Sequence, residues 1–135
     1  MLDKRNFYIN GKWVSPSKPN DFEVINPSNE EPFAIISLGD EADTNSAVKA
    51  AKESFTSWRK ISKEERISLM QKLYEIYKSR WDEMTKVISM EMGAPLDYAS
   101  SAQTASGAAH IEDFIKRLKN FEFGSTFDEG TDNYI

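Results

Sequence analysis

The feature that most restricts the fold of this chain is a change of hydrophobic period at Gly39-Asp40. Before it, apolar residues come in short runs rich in β-branched and aromatic side chains. After it, they recur at three- and four-residue spacing out to Leu118. Short strands need a sheet to join, and amphipathic helices need a surface to cover. The class is therefore α/β, with strands first, long helices next, and an interrupted strand at the end.

On the strand side, Phe7-Tyr-Ile-Asn-Gly-Lys-Trp-Val14 places two apolar runs around Asn10-Gly11. Asn-Gly accepts the positive φ values of a type I′ turn, so the segment predicts a tight hairpin. Residues 15–20 hold two prolines and predict a loop. Phe22–Asn26 reads as a strand stopped at Pro27, and Pro32–Leu38 as a second.

On the helical side, Asp40 suits an N-cap, with Glu41 and Asp43 at the positive end of the dipole. Ala47, Val48, Ala51, Phe55 and Trp58 make one stripe. Ser62-Lys-Glu-Glu65 has the form of a capping box. Ile67, Met70, Leu73 and Tyr77 follow, then Met84, Val87 and Ile88 beyond a break near Ser79. Gly93 predicts a helix end and Pro95 the N1 position of the next helix. That last helix carries Leu96, Ala99, Ala102, Ala105, Ala108, Ile111, Phe114, Ile115 and Leu118. Phe121-Glu-Phe123 alternates like a strand, and Tyr134-Ile135 reads as the start of another, without a partner.

The residues exclude more chemistry than they offer. There is no cysteine, so disulfides, thiolate metal sites and a cysteine nucleophile are absent from the chain. Glycines at 11, 39, 93, 107, 124 and 130 make no phosphate-binding pattern. His110 is the only histidine and has no nucleophile motif beside it, which favours a solvated or half-buried helix position. The pairs Glu64-Glu65 and Asp82-Glu83 are explained by helix-start electrostatics, and Lys116, Arg117 and Lys119 by a helix C-terminus. Trp13, Trp58 and Trp81 read as core or interface anchors. Charges are mixed along the chain, with a net of −5, so no nucleic-acid footprint or basic membrane face is expected. With no apolar run of spanning length and no leader pattern, the expectation is a soluble, cytoplasmic protein.

Several stretches taken in order resemble the N-terminal part of the NAD(P)-dependent aldehyde dehydrogenase superfamily. They are Phe7–Val14, Val24-Ile-Asn-Pro-Ser-Asn29, Ala47–Trp58, Glu65-Arg66 and Glu91-Met-Gly-Ala-Pro95. The resemblance implies that residues 1–120 open a Rossmann-like coenzyme-binding domain with a parallel sheet. It implies that residues 121–135 begin an oligomerisation hairpin. In such enzymes a cysteine attacks the aldehyde, hydride passes to the nicotinamide, and a glutamate-activated water releases the acid. An asparagine of a Pro-Trp-Asn motif holds the oxyanion. No residue here matches those positions, so no catalytic residue is assigned, and no cofactor is expected to bind this chain alone. NAD or NADP belongs to the complete enzyme. Covalent catalysis needs an activated nucleophile with a base in reach, so the chain alone is expected to be inactive.

Two sites carry over by position from the resemblance. A monovalent-cation site would use backbone oxygens at Val24 and Ile25 with the acid Glu91, where many members have aspartate. The added methylene displaces the carboxylate by more than a metal-ligand tolerance. Alternatively, Glu91 faces water. The helix after Gly93 would border the aldehyde channel, with Gln103 and Ser106 lining it and Ala102 and Gly107 beside them. The same small residues also suit close helix packing, and both readings stand at this point.

Three roles follow. The chain is a fragment with exposed apolar helix faces, prone to self-association. Or it complements a separate polypeptide carrying the rest of the dehydrogenase. Or it is a non-catalytic helical interaction module. Complete family members are dimers or tetramers.

Overall fold

A computed structural model describes residues 1–126 and 132–134. Strands β1 (Leu2–Asp3), β4 (Asp21–Asn26) and β5 (Glu31–Ser37) form a three-stranded sheet in the order β1-β5-β4. The β1–β5 pairing is parallel and the β4–β5 pairing antiparallel, with a register shift between Val24 and Ile25. The described sheet is therefore mixed rather than wholly parallel. Strands β2 (Phe7–Ile9) and β3 (Lys12–Val14) make the expected hairpin. Its corner residues Asn10 and Gly11 have φ of 52° and 74°, the left-handed values of a type I′ turn. Arg5 ties β1 to β4 through Asp3 and Asp21. Its hydrogen bond holds the Asp3 carboxyl down at about 2.

Helix α1 (Glu41–Trp58) starts at Asp40, whose carboxylate accepts from the Asp43 amide while the Asp43 carboxylate accepts from the Asp40 amide. The reciprocal capping box closes here. At α2 (Lys63–Ser79) only half of the expected box forms: Ser62 Oγ accepts from the Glu65 amide at 3.0 Å, and no return bond from Glu65 is made. Helix α3 (Trp81–Met92) follows after one residue, so the break expected near Ser79 falls at Arg80, whose φ of −107° and ψ of 23° leave the helical region.

Gly93 ends α3 in the left-handed region at φ 71°. A Cβ there would lie 3.2 Å from Pro27 Cβ, so the helix end presses on the turn after β4. Gly93→Ala is expected to cost about 1–2 kcal/mol, from left-handed strain plus that contact. A urea or thermal melt checks it, and an unchanged midpoint would contradict it.

Pro95 occupies the N-cap rather than N1, one residue earlier than expected. The last helix is unbroken from Leu96 to Asn120, as expected, but it is not α-helical throughout. It runs as α4 (Leu96–Tyr98), a π-turn over Ala99–Thr104, and α5 (Ala105–Asn120). Phe121-Glu-Phe123 is not a strand. The two rings instead pack edge to face at 5.0 Å, and β6 begins at Gly124. β6 (Gly124–Thr126) pairs antiparallel with β7 (Asp132–Tyr134), so the final strand has a partner, contrary to the expectation. Ile135 lies outside the described residues.

The core is small. Ala99, Ala108, Ile115 and Leu118 of the last helical run are buried, with Ala34 on β5. Neither α1 nor α2 buries a residue fully. Val48, Phe55 and Trp58, the stripe of α1, are 59%, 58% and 47% exposed. The expected bare apolar face is thus present.

Candidate functional site

The site is built where α3 meets the π-turn. The α3 end is locked by Gly93 N donating to Ser89 O at 2.9 Å and Ser89 Oγ donating to Ala94 O at 2.7 Å. The first satisfies a carbonyl of the last turn of α3, and the second ties the residue after the glycine back onto the helix. Pro95 then sets the chain for a new helical start.

Polar side chains stitch the π-turn to its neighbours. Trp81 Nε1 donates to Ser100 Oγ at 2.9 Å, and the Thr85 and Thr104 hydroxyls meet at 3.0 Å. Tyr77 Oη donates to the Thr104 carbonyl at 3.0 Å. Thr104 is wholly buried and both its hydroxyl and its carbonyl are bonded. A buried polar group left unpaired would cost about 1–3 kcal/mol.

Gln103 is half-buried within the π-turn. Its Nε2 donates to Met92 Sδ at 3.5 Å, and its Oε1 is buried with no donor among the described residues. Ser106 is exposed on the first turn of α5, and Ala102 is half-buried. Gly107 lies against Tyr77, and a Cβ added there would overlap the phenol oxygen. Close packing therefore accounts for Gly107, Ala99 and Ala108. Gln103 and Ser106 belong to a different set, half-buried or open.

The residues of the expected cation site come from two elements. Val24 and Ile25 flank the register shift in β4, and Glu91 is exposed at the penultimate position of α3. Gly93 against Pro27 and Ser28 brings the two elements together. Pro32, opposite Ile25, has no N–H, so the Ile25 carbonyl receives no ladder bond from it. Carbonyls and a carboxylate are the donors a hard monovalent ion takes. Among the described residues no three His, Cys, Asp or Glu side chains cluster.

His110 is exposed, as expected of a helix-surface histidine. Glu64, Glu65, Asp82 and Glu83 all fall in first turns, and Arg117 and Lys119 in a last turn. Trp13 is 70% exposed and takes no part in the core. The largely apolar groove lies elsewhere. It holds about 520 Å³ between α2 and α5, lined by Trp58, Leu69, Met70, Phe114, Leu118 and Phe123 among others.

Sequence reasoning placed Tyr77 on the apolar stripe of α2 without a polar role, and passed over Thr85 and Thr104. Thr85 and Thr104 are hydroxyl residues at buried helical positions, and that is the signal they carried.

Residues 13–135 match the aldehyde dehydrogenase family. The chain belongs to that family. Among curated relatives, 3-succinoylsemialdehyde-pyridine dehydrogenase of a Pseudomonas species is 39% identical over 124 residues, which is 91% of this chain and 26% of the relative. A putative aldehyde dehydrogenase of Staphylococcus aureus strain USA300 is 35% identical over 123 residues, again 26% of its length. Among solved structures, the aldehyde dehydrogenase of Bartonella henselae superposes with a TM-score of 0.92 at 51% identity, covering 97% of this chain and 28% of that one. Aldehyde dehydrogenase C of Pseudomonas syringae, solved with NAD+ and octanal, gives a TM-score of 0.89 at 32% identity, covering 92% of this chain and 26% of that one. This aldehyde dehydrogenase chain thus spans about a quarter of the relatives it matches, and it corresponds to their N-terminal part. Its α/β order of short strands and then helices is theirs. No described helix is long and apolar enough to cross a membrane.

Proposed function

We propose that this chain supplies the N-terminal part of the coenzyme-binding domain of an NAD(P)-dependent aldehyde dehydrogenase. The complete enzyme oxidises an aldehyde to a carboxylic acid, and this chain has no such activity by itself. The observation that carries the reading is the superposition on an enzyme of which these residues make up 28%. The bare stripe of α1 and the absence of cysteine support it. The nucleophile, the general base, the oxyanion donor and the cofactor loop come from the remaining three quarters. That remainder is joined in one polypeptide or docked as a second one. Residues 121–135 open the oligomerisation hairpin, consistent with the antiparallel β6–β7 pair. Co-expression with the remaining part of the dehydrogenase tests this directly. Aldehyde-dependent NADH or NADPH formation is expected from the pair, and a pair that assembles without activity would overturn it.

Within that enzyme, Gln103 and Ser106 border the aldehyde's path, as their match to the family's channel positions implies; Gln103 is half-buried and Ser106 is exposed, so both side chains are open to a ligand. Val24, Ile25 and Glu91 form a monovalent-cation site, with two backbone oxygens and one carboxylate as donors, in which the glutamate side chain must fold back by its extra methylene to reach the ion. Potassium is then expected to raise the melting temperature of the complete enzyme above that in an equal concentration of tetramethylammonium. Glu91→Gln is expected to remove the difference. Equal melting temperatures in both salts for the parent enzyme would reject the site.

A further inference from the structure

We propose that the π-turn Ala99–Thr104 is the device that aims Gln103, and that Tyr77, Thr85 and Thr104 are positioning residues for aldehyde selectivity. This rests on the reading of Gln103 as bordering the aldehyde's path.

The starting observation is a spacing. Ala99 and Thr104 are both fully buried, and they stand five residues apart. In an α-helix five residues turn the chain so that the two side chains point roughly 140° apart. The i to i+5 pairing of a π-turn brings them back to one side. From Thr104 onward the buried set, Thr104, Ala108, Ile115 and Leu118, keeps ordinary α-helical spacing. One extra residue has therefore been taken up between Ala99 and Thr104, and the helix on each side keeps its own buried face.

Such a turn has poorer hydrogen-bond geometry than the α-helix around it and persists where its surroundings hold it. Here they do so from two helices. Tyr77 of α2 bonds the Thr104 carbonyl, Thr85 of α3 bonds the Thr104 hydroxyl, and Trp81 of α3 bonds Ser100. Gln103 lies between the two pinned positions. Its own carboxamide is held only by a thioether, a weak acceptor, and one oxygen is buried without a donor. The side chain takes its direction from the backbone. Loss of the extra residue would swing it by about 100°. Tyr77, Thr85 and Trp81 bond Thr104 and Ser100, not Gln103, so they act on Gln103 through the helix that carries it.

The test uses the complete enzyme and two probe aldehydes, acetaldehyde and octanal. Gln103→Ala and Thr104→Val are each expected to raise KM for octanal about fivefold, the equivalent of losing contact with roughly one methylene of a tail that acetaldehyde lacks. In both, kcat and the acetaldehyde KM should stay within about twofold. Thr104→Ser keeps the hydroxyl and should match the parent. The double variant Gln103→Ala with Thr104→Val should be no worse than Gln103→Ala alone, because the pin works through Gln103. If Thr104→Val does not fold, Tyr77→Phe removes the other pin and carries the same expectation. Should Gln103→Ala shift the octanal KM while Thr104→Val or Tyr77→Phe does not, the positioning role is wrong and the channel reading survives. An equal fall in kcat for both aldehydes would also overturn it, by marking a merely structural role. If Gln103→Ala changes neither KM, the channel reading itself fails.

Discussion

Replacing Gly107 by alanine is expected to destabilise the protein by about 2–3 kcal/mol, although alanine is the better helix former. On propensity alone the change would stabilise by about 1 kcal/mol. The packing term decides the sign. A Cβ at Gly107 would overlap the Tyr77 hydroxyl, and the ring carbon bearing it lies 3.0 Å away. Tyr77 cannot retreat freely, because its hydroxyl is bonded to the Thr104 carbonyl and its ring meets Trp81 edge to face at 6.3 Å. Alanine therefore breaks the bond or shifts α2 from α5. Adding Tyr77→Phe should recover part of the loss, since the oxygen that clashes is gone. A double-mutant cycle read by urea denaturation checks this. A stabilising Gly107→Ala, or strictly additive effects, would contradict the contact.

A second large effect depends on context. Phe55→Ala should cost under about 0.5 kcal/mol in the isolated chain, because the ring is already 58% exposed. In the complete dehydrogenase the same change should cost about 3–5 kcal/mol, the usual range for emptying a covered phenylalanine site. Val48 and Trp58 share the stripe and should follow Phe55 in direction. Matched melts of the isolated chain and the assembled enzyme give the comparison. Equal small costs in both would mean that nothing covers α1. The bare stripe also predicts that the isolated chain binds an apolar-surface dye and associates with itself, and covering by the remainder should suppress both.

Much of the element order was legible because it rests on local rules. Asn10-Gly11 gave its hairpin, Asp40 and Ser62 their N-caps, and Gly93 its left-handed stop. What was not legible depends on partners distant in sequence. The π-turn is one case. The alanines at 99, 102, 105 and 108 suggested a continuous stripe, but between the buried Ala99 and Ala108 it is Thr104 that is buried, while Ala102 and Ala105 are only half-buried. Only Tyr77 and Thr85, far away along the chain, make that shift worthwhile. Phe121 and Phe123 are another. Their alternation imitates a strand, yet Lys63 Nζ donates to the Lys119 and Phe121 carbonyls and Arg66 stacks over Phe123 at 5.3 Å. Those contacts cap α5 and hold the segment outside any ladder.

At the proposed site the balance is similar. Gln103 and Ser106 were marked by family resemblance, and their half-buried and open positions follow from packing around them. Thr85 and Thr104 passed unnoticed because threonine in a helix usually bonds its own backbone or water. Here the two hydroxyls bond each other across helices.

The most direct measurement is a turnover assay on the purified 135-residue chain, supplied with an aldehyde and with NAD+ or NADP+ in turn. No reduced nicotinamide above the enzyme-free blank is expected, since the chain has no thiol to attack the carbonyl. Steady production of carboxylic acid with matching coenzyme reduction by this chain alone would contradict the assignment of the reactive groups to the rest of the enzyme.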